Sequence, residues 1–233
     1  MKQIIALGGG GFSMEPENPL LDLYILHQST QPSPKICFIG TASGDAENYI
    51  NRFYESFTKQ NCQPTHLSLF KPPVKDIRSF VMEQDIIYVG GGSTKNLIAL
   101  WKEWDLDQIL KEAYHKGVIL SGISAGSLCW YEDGITDSYG DILESIHGIG
   151  LIKGSHSPHY DGESNRRASF HHFIKEAVIQ PGIGADDGVG LHYIDGQLVK
   201  IVSSRRPAKA YEVTLQDKQI CEKELETIYL GTS

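Results

Sequence analysis

Four short apolar runs, each stopped by glycine or small residues, govern what this chain can become. Residues 4–7 run into Gly8 to Gly11. Residues 36–39 run into Gly40-Thr41-Ala42-Ser43-Gly44, and residues 86–89 into Gly90-Gly91-Gly92. Residues 118–120 run into Ser121-Gly122-Ile123-Ser124. The runs are rich in Ile and Val and show no polar alternation, as expected of strands buried on both faces of a parallel sheet. Between them, residues 46–60, 94–101 and 106–115 carry apolar side chains at three- and four-residue spacing, which predicts helices. Strand, glycine turn and helix in repetition imply right-handed βαβ units.

The expected fold is therefore α/β: a doubly wound, mostly parallel sheet flanked by helices. Residues 189–193, 197–202 and 210–215 are β-like and separated by short turns, one carrying Asp195-Gly196. They predict a small antiparallel C-terminal extension on the same sheet. No Pro-, Gly- or Ser-rich linker and no repeat interrupts residues 1–233, so one domain is expected.

The motif with chemical content is Gly122-Ile123-Ser124-Ala125-Gly126. It follows a buried strand and precedes an apolar, helix-like stretch, the setting of a nucleophile elbow. A turn this tight needs small residues beside the serine, and Gly122 and Gly126 supply them. The turn would lift the Ser124 hydroxyl above the sheet and bring the Ala125 N–H next to it as an oxyanion donor. A serine nucleophile needs a base, and the base an orienting acid. Of the nine histidines, His27, His66 and His115 lie in helical or surface stretches, and His171 and His172 in a helix-like run. His156 and His159 follow a β-like run at 149–152 that would bring either near a sheet edge. The acid is Asp137, after Gly134-Ile135-Thr136, or Asp187, in Ala185-Asp186-Asp187-Gly188. The bare amides of Gly90-Gly91-Gly92-Ser93-Thr94 offer a second oxyanion donor or an anion nest.

Other classes fit less well. The formal charge of -8 disfavours a nucleic-acid partner, which needs clustered Lys and Arg. Gly8 to Gly11 fails the dinucleotide fingerprint, and no phosphate-loop G-K-[ST] exists. Cys37, Cys62, Cys129 and Cys221 form no C-x-x-C pair, so neither a zinc site nor any other metal is expected. No apolar run has the length of a membrane span and the N-terminus does not resemble a signal peptide, which leaves a cytoplasmic protein as the expectation. A non-catalytic small-molecule receptor of the same fold is the chief alternative to a hydrolase. A cysteine-dependent amidotransferase is disfavoured by the serine at the elbow.

Four segments together resemble the peptidase E family: Leu7-Gly8-Gly9-Gly10, Val89-Gly90-Gly91-Gly92-Ser93-Thr94, Gly122-Ile123-Ser124-Ala125-Gly126-Ser127 and Ser157-Pro158-His159-Tyr160. They occur in the family's order over residues 1–193. The resemblance implies a fold similar to class I glutamine amidotransferases and a serine peptidase that cleaves dipeptides with N-terminal Asp, without a cofactor, as monomer or homodimer. By motif, Ser124 corresponds to the nucleophile, His159 to the base, Gly92 to the oxyanion glycine paired with Ala125, and Asp187, with Asp137 second, to the acid. In the family a Gly-Glu-Thr-Arg run supplies the arginine that holds the substrate carboxylate. Here the run is Gly162-Glu163-Ser164-Asn165-Arg166-Arg167. Asn165 takes the arginine's place, and Arg166, one position later, is the substrate-binding candidate.

Overall fold

The computed structural model describes residues 1–140, 142–162 and 164–232. Its strands are β1 (Gln3–Leu7), β2 (Lys35–Ile39), β3 (Gln63–Leu67), β4 (Ile86–Val89), β5 (Ile119–Ile123), β6 (Tyr131–Thr136), β7 (Glu144–His147), β8 (Ile152–Ser157), β9 (Gly182–Ala185), β10 (Val189–Ile194), β11 (Gln197–Ser203), β12 (Ala210–Gln216), β13 (Gln219–Leu225) and β14 (Ile228–Tyr229). Its α-helices are α1 (Gly11–Met14), α2 (Leu20–Leu26), α3 (Glu47–Phe57), α4 (Ile77–Met82), α5 (Thr94–Glu103), α6 (Leu106–Lys116), α7 (Ala125–Leu128) and α8 (Arg166–Lys175).

The main sheet has the order β14-β11-β10-β1-β5-β4-β2-β3. From β1 through β5, β4 and β2 to β3 every pair is parallel. Side chains alternate between its two faces. Ile4, Ala6, Cys37, Ile39, Ile87, Val89 and Leu120 pack with Leu97 and Trp101 of α5 and Leu110 of α6. Ile5, Leu7, Ile36, Phe38, Ile86 and Tyr88 pack with Phe12 of α1, Leu21 of α2, and Phe53 and Phe57 of α3. Each face carries helices, which explains why the strands lack polar alternation. Phe53 illustrates how α3 is held: it is fully buried and its ring stacks on Phe38 at 5.1 Å. Truncation of such a residue to Ala costs about 3–5 kcal/mol.

The C-terminal strands divide between two sheets. β10 and β11 extend the main sheet antiparallel to β1, as expected. The run at 210–215 does not. As β12 it pairs with β13 and β9 in a second, six-stranded sheet of order β13-β12-β9-β8-β6-β7. The β-like run at 149–152 is also displaced, since its strand begins only at Ile152. The helix after the elbow lasts a single turn, α7, before the chain enters β6. Tyr131, Ile152, Ala185 and Ala210 of the second sheet share a buried cluster with Ile4 and Leu120 of the first. The two sheets thus share one buried core.

Candidate active site

At the end of β5 the chain turns sharply through Ser124, which has φ 57° and ψ -116°. A non-glycine residue there costs about 1–3 kcal/mol and persists only where its surroundings fix it. Here they do. The Ser124 N–H donates to the Leu7 carbonyl at 3.1 Å, and the Ser124 carbonyl accepts the N–H groups of Ser127 and Leu128 at 2.9 Å each. Gly122 and Gly126 are required by contact: a β-carbon at Gly122 would strike the Gly126 carbonyl, and one at Gly126 the Val89 carbonyl. The half-buried Ser124 side chain stands against the Gly90–Gly92 loop, where a β-carbon at Gly91 would lie 3.3 Å from Ser124 Cβ.

Three successive carbonyls at the end of β1 gather the site. Leu7 holds Ser124. Gly8 accepts the His159 N–H at 3.1 Å, and Gly9 accepts the Gly188 N–H at 3.1 Å, next to Asp187. His159 Nδ1 then lies 2.6 Å from Asp187 Oδ1. Both side chains are largely enclosed, 20% and 13% exposed respectively. The loop after His159 clasps the acid from two further sides. Asp161 Oδ1 accepts the Asp187 N–H at 2.8 Å, and a β-carbon on Gly162 would sit 3.2 Å from Asp187 Oδ2. Arg205 Nη1 approaches Asp187 Oδ2 at 3.9 Å while its Nε donates to Glu15 Oε1 at 2.6 Å.

The amides around Ser124 are almost all taken. Gly90 N–H donates to Ile39, Ser93 N–H to Ala42, Gly91 N–H to the Tyr49 hydroxyl at 3.2 Å, and Thr94 N–H to Ser138 Oγ at 2.8 Å. Gly92 N–H and Ala125 N–H have no acceptor among the described residues. Gly92 has φ 135° and presses on the Ala42 carbonyl, so no side chain fits there. The Tyr49 hydroxyl in turn donates to Ser13 Oγ at 2.8 Å. Burial raises the Tyr49 pKa above its ordinary value, which keeps the hydroxyl protonated.

The other candidates lie elsewhere. His156 is fully buried behind the elbow. Its Nδ1 faces the Ile183 carbonyl at 2.9 Å, so this nitrogen carries the proton. Its Nε2 faces Ser127 Oγ at 3.1 Å, and its ring stacks on Tyr131 at 4.6 Å. Burial lowers its pKa to about 3. With both nitrogens engaged it supports the elbow from behind. Asp137 is exposed just past β6, and its carboxylate takes no partner among the described residues. Arg166 is 3% exposed and its Nη1 donates to the Ile135 carbonyl at 3.4 Å, while Asn165 precedes it at the head of α8. Glu163 of the same run lies outside the described residues. Among the described residues no three His, Cys, Asp or Glu are grouped to hold a metal, and no helix is long and apolar enough to cross a membrane.

Three participants escaped the sequence reading: the β1 carbonyls, Tyr49, and the Arg205–Glu15 pair. The glycines after β1 were a visible signal for the first. For Tyr49 there was none, because it reads as one more apolar position on α3.

A serine at an elbow, a His–Asp pair and two unclaimed amides are together able to attack and split an acyl bond. The family model of peptidase family S51 matches residues 4–201, which contain Ser124, His159 and Asp187. The chain belongs to family S51, the peptidase E family. It is therefore a peptidase by family. The chain is similar to the "Uncharacterized peptidase YgaJ" of Bacillus subtilis (strain 168), 57% identical over 231 residues, spanning 99% of this chain and 100% of that one. A solved peptidase from an acI-B1 Actinobacterium shares the fold with a TM-score of 0.65 at 19% identity, over 97% of this chain and 95% of that one.

Proposed function

We propose that this S51 member is a serine-type peptidase of short peptides, dipeptides with N-terminal Asp among them, in which Ser124 is the nucleophile. The observation that carries the reading is the 2.6 Å contact between His159 Nδ1 and Asp187 Oδ1 beside an elbow serine. An isolated serine hydroxyl is a poor nucleophile at neutral pH and needs such a base.

In this mechanism Asp187 keeps the His159 proton on Nδ1, which leaves Nε2 as the basic atom. Nε2 removes the Ser124 hydroxyl proton as Oγ attacks the peptide carbonyl carbon. The oxyanion so formed is held by the Gly92 and Ala125 N–H groups, whose lack of other acceptors suits them to it. His159 returns the proton to the leaving amine nitrogen and the C–N bond breaks. Water, deprotonated by His159, attacks the acyl ester, and collapse restores Ser124 with release of the acid. Four cysteines without a disulfide, two of them buried, are consistent with a reducing compartment, and a cytoplasmic setting is part of the proposal.

The test is labelling by a fluorophosphonate, which reacts only with an activated serine, together with dipeptide turnover. The wild type should be labelled at Ser124 and Ser124→Ala should lose both labelling and turnover, the latter by a factor of about 10³ or more. A wild type that resists labelling, or a Ser124→Ala loss below about tenfold, removes the nucleophile.

A further inference from the structure

The carboxylate that faces His159 stands among like charges. Asp161, on the loop after β8, takes the Asp187 N–H at 2.8 Å. Asp186 precedes Asp187 and is buried. Burial first, and then the charge of Asp161, push the Asp186 carboxyl up to about 6, although the Lys209 N–H bonded to it works the other way. Glu15, at the end of α1, belongs to the same crowd: a β-carbon on Gly10 would lie 3.0 Å from Glu15 Oε2 and 3.1 Å from Gly188 Cα. Carboxylates gathered in this way favour uptake of a proton, yet the acid of a relay has to stay ionised.

One cation answers them. Arg205 follows β11, and its Nη1 lies 3.9 Å from Asp187 Oδ2, the oxygen that His159 does not use. Among the described residues no other Lys or Arg comes within 4.0 Å of that carboxylate. Arg167 grips Glu222 with two N–H groups, and Lys209 Nζ lies 3.5 Å from Glu224. Arg205 is also built in. Its Nε donates to Glu15 Oε1 at 2.6 Å. Glu15 Oε2 accepts the Ser204 hydroxyl at 2.7 Å, and the Ser204 N–H donates to the Gly188 carbonyl at 2.8 Å. A β-carbon on Gly188 would strike Arg205 Cγ, so the glycine lets the arginine stem lie across the turn that carries Asp187.

We propose that Arg205 is a positioning residue of the proton relay: anchored on Glu15, its guanidinium keeps Asp187 charged and turned to His159, and so sets the acid end of the pH range over which Ser124 is reactive. This rests on the serine-peptidase reading. A cation beside the His159–Asp187 pair opposes uptake of a proton by the pair, whichever member accepts it. Asp161, Asp186 and Glu15 act in the opposite sense. Removing the cation therefore lets the pair take its proton at higher pH. Removing the Glu15 charge while Arg205 stays does the reverse. A guanidinium suits the task, because it keeps its charge at any working pH and its fork reaches two carboxylates at once. The Arg205 side chain is 35% exposed, so water screens the pairing. The shift is then about half a pH unit, below the roughly one to three of an enclosed pair.

The experiment follows the rate of fluorophosphonate labelling of Ser124 from about pH 5 to 9, a readout that needs no chosen peptide. It compares wild type, Arg205→Met, Arg205→Lys and Glu15→Gln. The midpoint of the acid limb should rise by about 0.5 unit or more in Arg205→Met. It should stay within about 0.2 unit of the wild type in Arg205→Lys, which keeps the charge. In Glu15→Gln, whose amide oxygen can still accept from Arg205, it should fall, and this variant stands in should Arg205→Met misfold. A folded Arg205→Met enzyme whose rate drops equally at every pH, with the limb unmoved, makes Arg205 a purely structural residue and overturns the proposal. So does an Arg205→Lys limb that moves as far as that of Arg205→Met, or a Glu15→Gln limb that rises or stays. A wild type that does not label fails earlier, at the serine reading itself, and takes this inference with it.

Discussion

Gly9 leaves no room for a β-carbon beside Asp187: one built there would overlap the carboxylate oxygen that faces the His159 ring. Gly9→Ala should therefore push the acid off the histidine while the sheet, held by β1's neighbours, stays formed. The expected outcome is a loss of about 10²-fold or more in kcat with a thermal midpoint lowered by no more than several degrees. Steady-state kinetics beside a circular-dichroism melt checks both.

Asp187→Asn retains shape and removes charge. An amide can donate to Nδ1 and so stabilise the wrong tautomer of His159. A drop in kcat of about 10³–10⁴ is expected, as for other triads, with KM near that of the wild type. A loss under tenfold would assign the orienting task elsewhere.

Tyr49 is a positioning residue for the Gly90–Gly92 loop, since its hydroxyl is the acceptor that fixes the Gly91 amide. Tyr49→Phe leaves that amide without its partner and frees the loop to rotate Gly92 away from Ser124. We expect roughly a three- to thirtyfold fall in kcat with little change in KM. Affinity for a boronic-acid transition-state analogue should weaken by the same factor, and affinity for a product amino acid should not. Equal weakening of both would mean a general loss of structure.

His156 makes a prediction about acid. Its folded pKa, about 3, lies below its ordinary 6.5 because burial penalises the charged ring. The unfolded chain therefore binds this proton more readily. The stability associated with the neutral ring is complete above about pH 6.5 and drains away as pH falls towards 3. His156→Gln cannot take up that proton. Its thermal midpoint should be lower than that of the wild type at pH 8, because the stacking on Tyr131 is lost, and the gap should narrow by pH 4.5. Parallel curves at the two pH values would contradict the burial argument.

The parallel half of the main sheet was legible because its strands are apolar throughout, as strands covered on both faces must be. The second sheet was not. β8 reads Ile-Lys-Gly-Ser-His-Ser and β9 reads Gly-Ile-Gly-Ala, and neither alternates nor is apolar enough to declare itself. Their glycines admit close neighbours: a β-carbon on Gly182 would strike the Ser155 carbonyl, and one on Gly184 would enter the Tyr160 ring. That requirement lies in the fold, outside any local pattern. The same division holds at the site. Ser124 and His159 sit in short motifs with a local mechanical logic. That Asp187 meets the His159 ring depends on segments 28 residues apart in the chain, and the Tyr49 hydroxyl meets an amide 42 residues away.

The three carbonyls of Leu7, Gly8 and Gly9 also govern when the site can assemble. They come from the first strand, yet what they hold includes His159 and Gly188, and β1 acquires its second neighbour only through β10, Val189–Ile194. A chain still emerging during its own synthesis carries Ser124 long before it carries Asp187. Until the last third has been made and has closed against the first strand, the His159–Asp187 pair cannot be set in place on the end of β1. The order of residues thus sets the order in which the site can assemble.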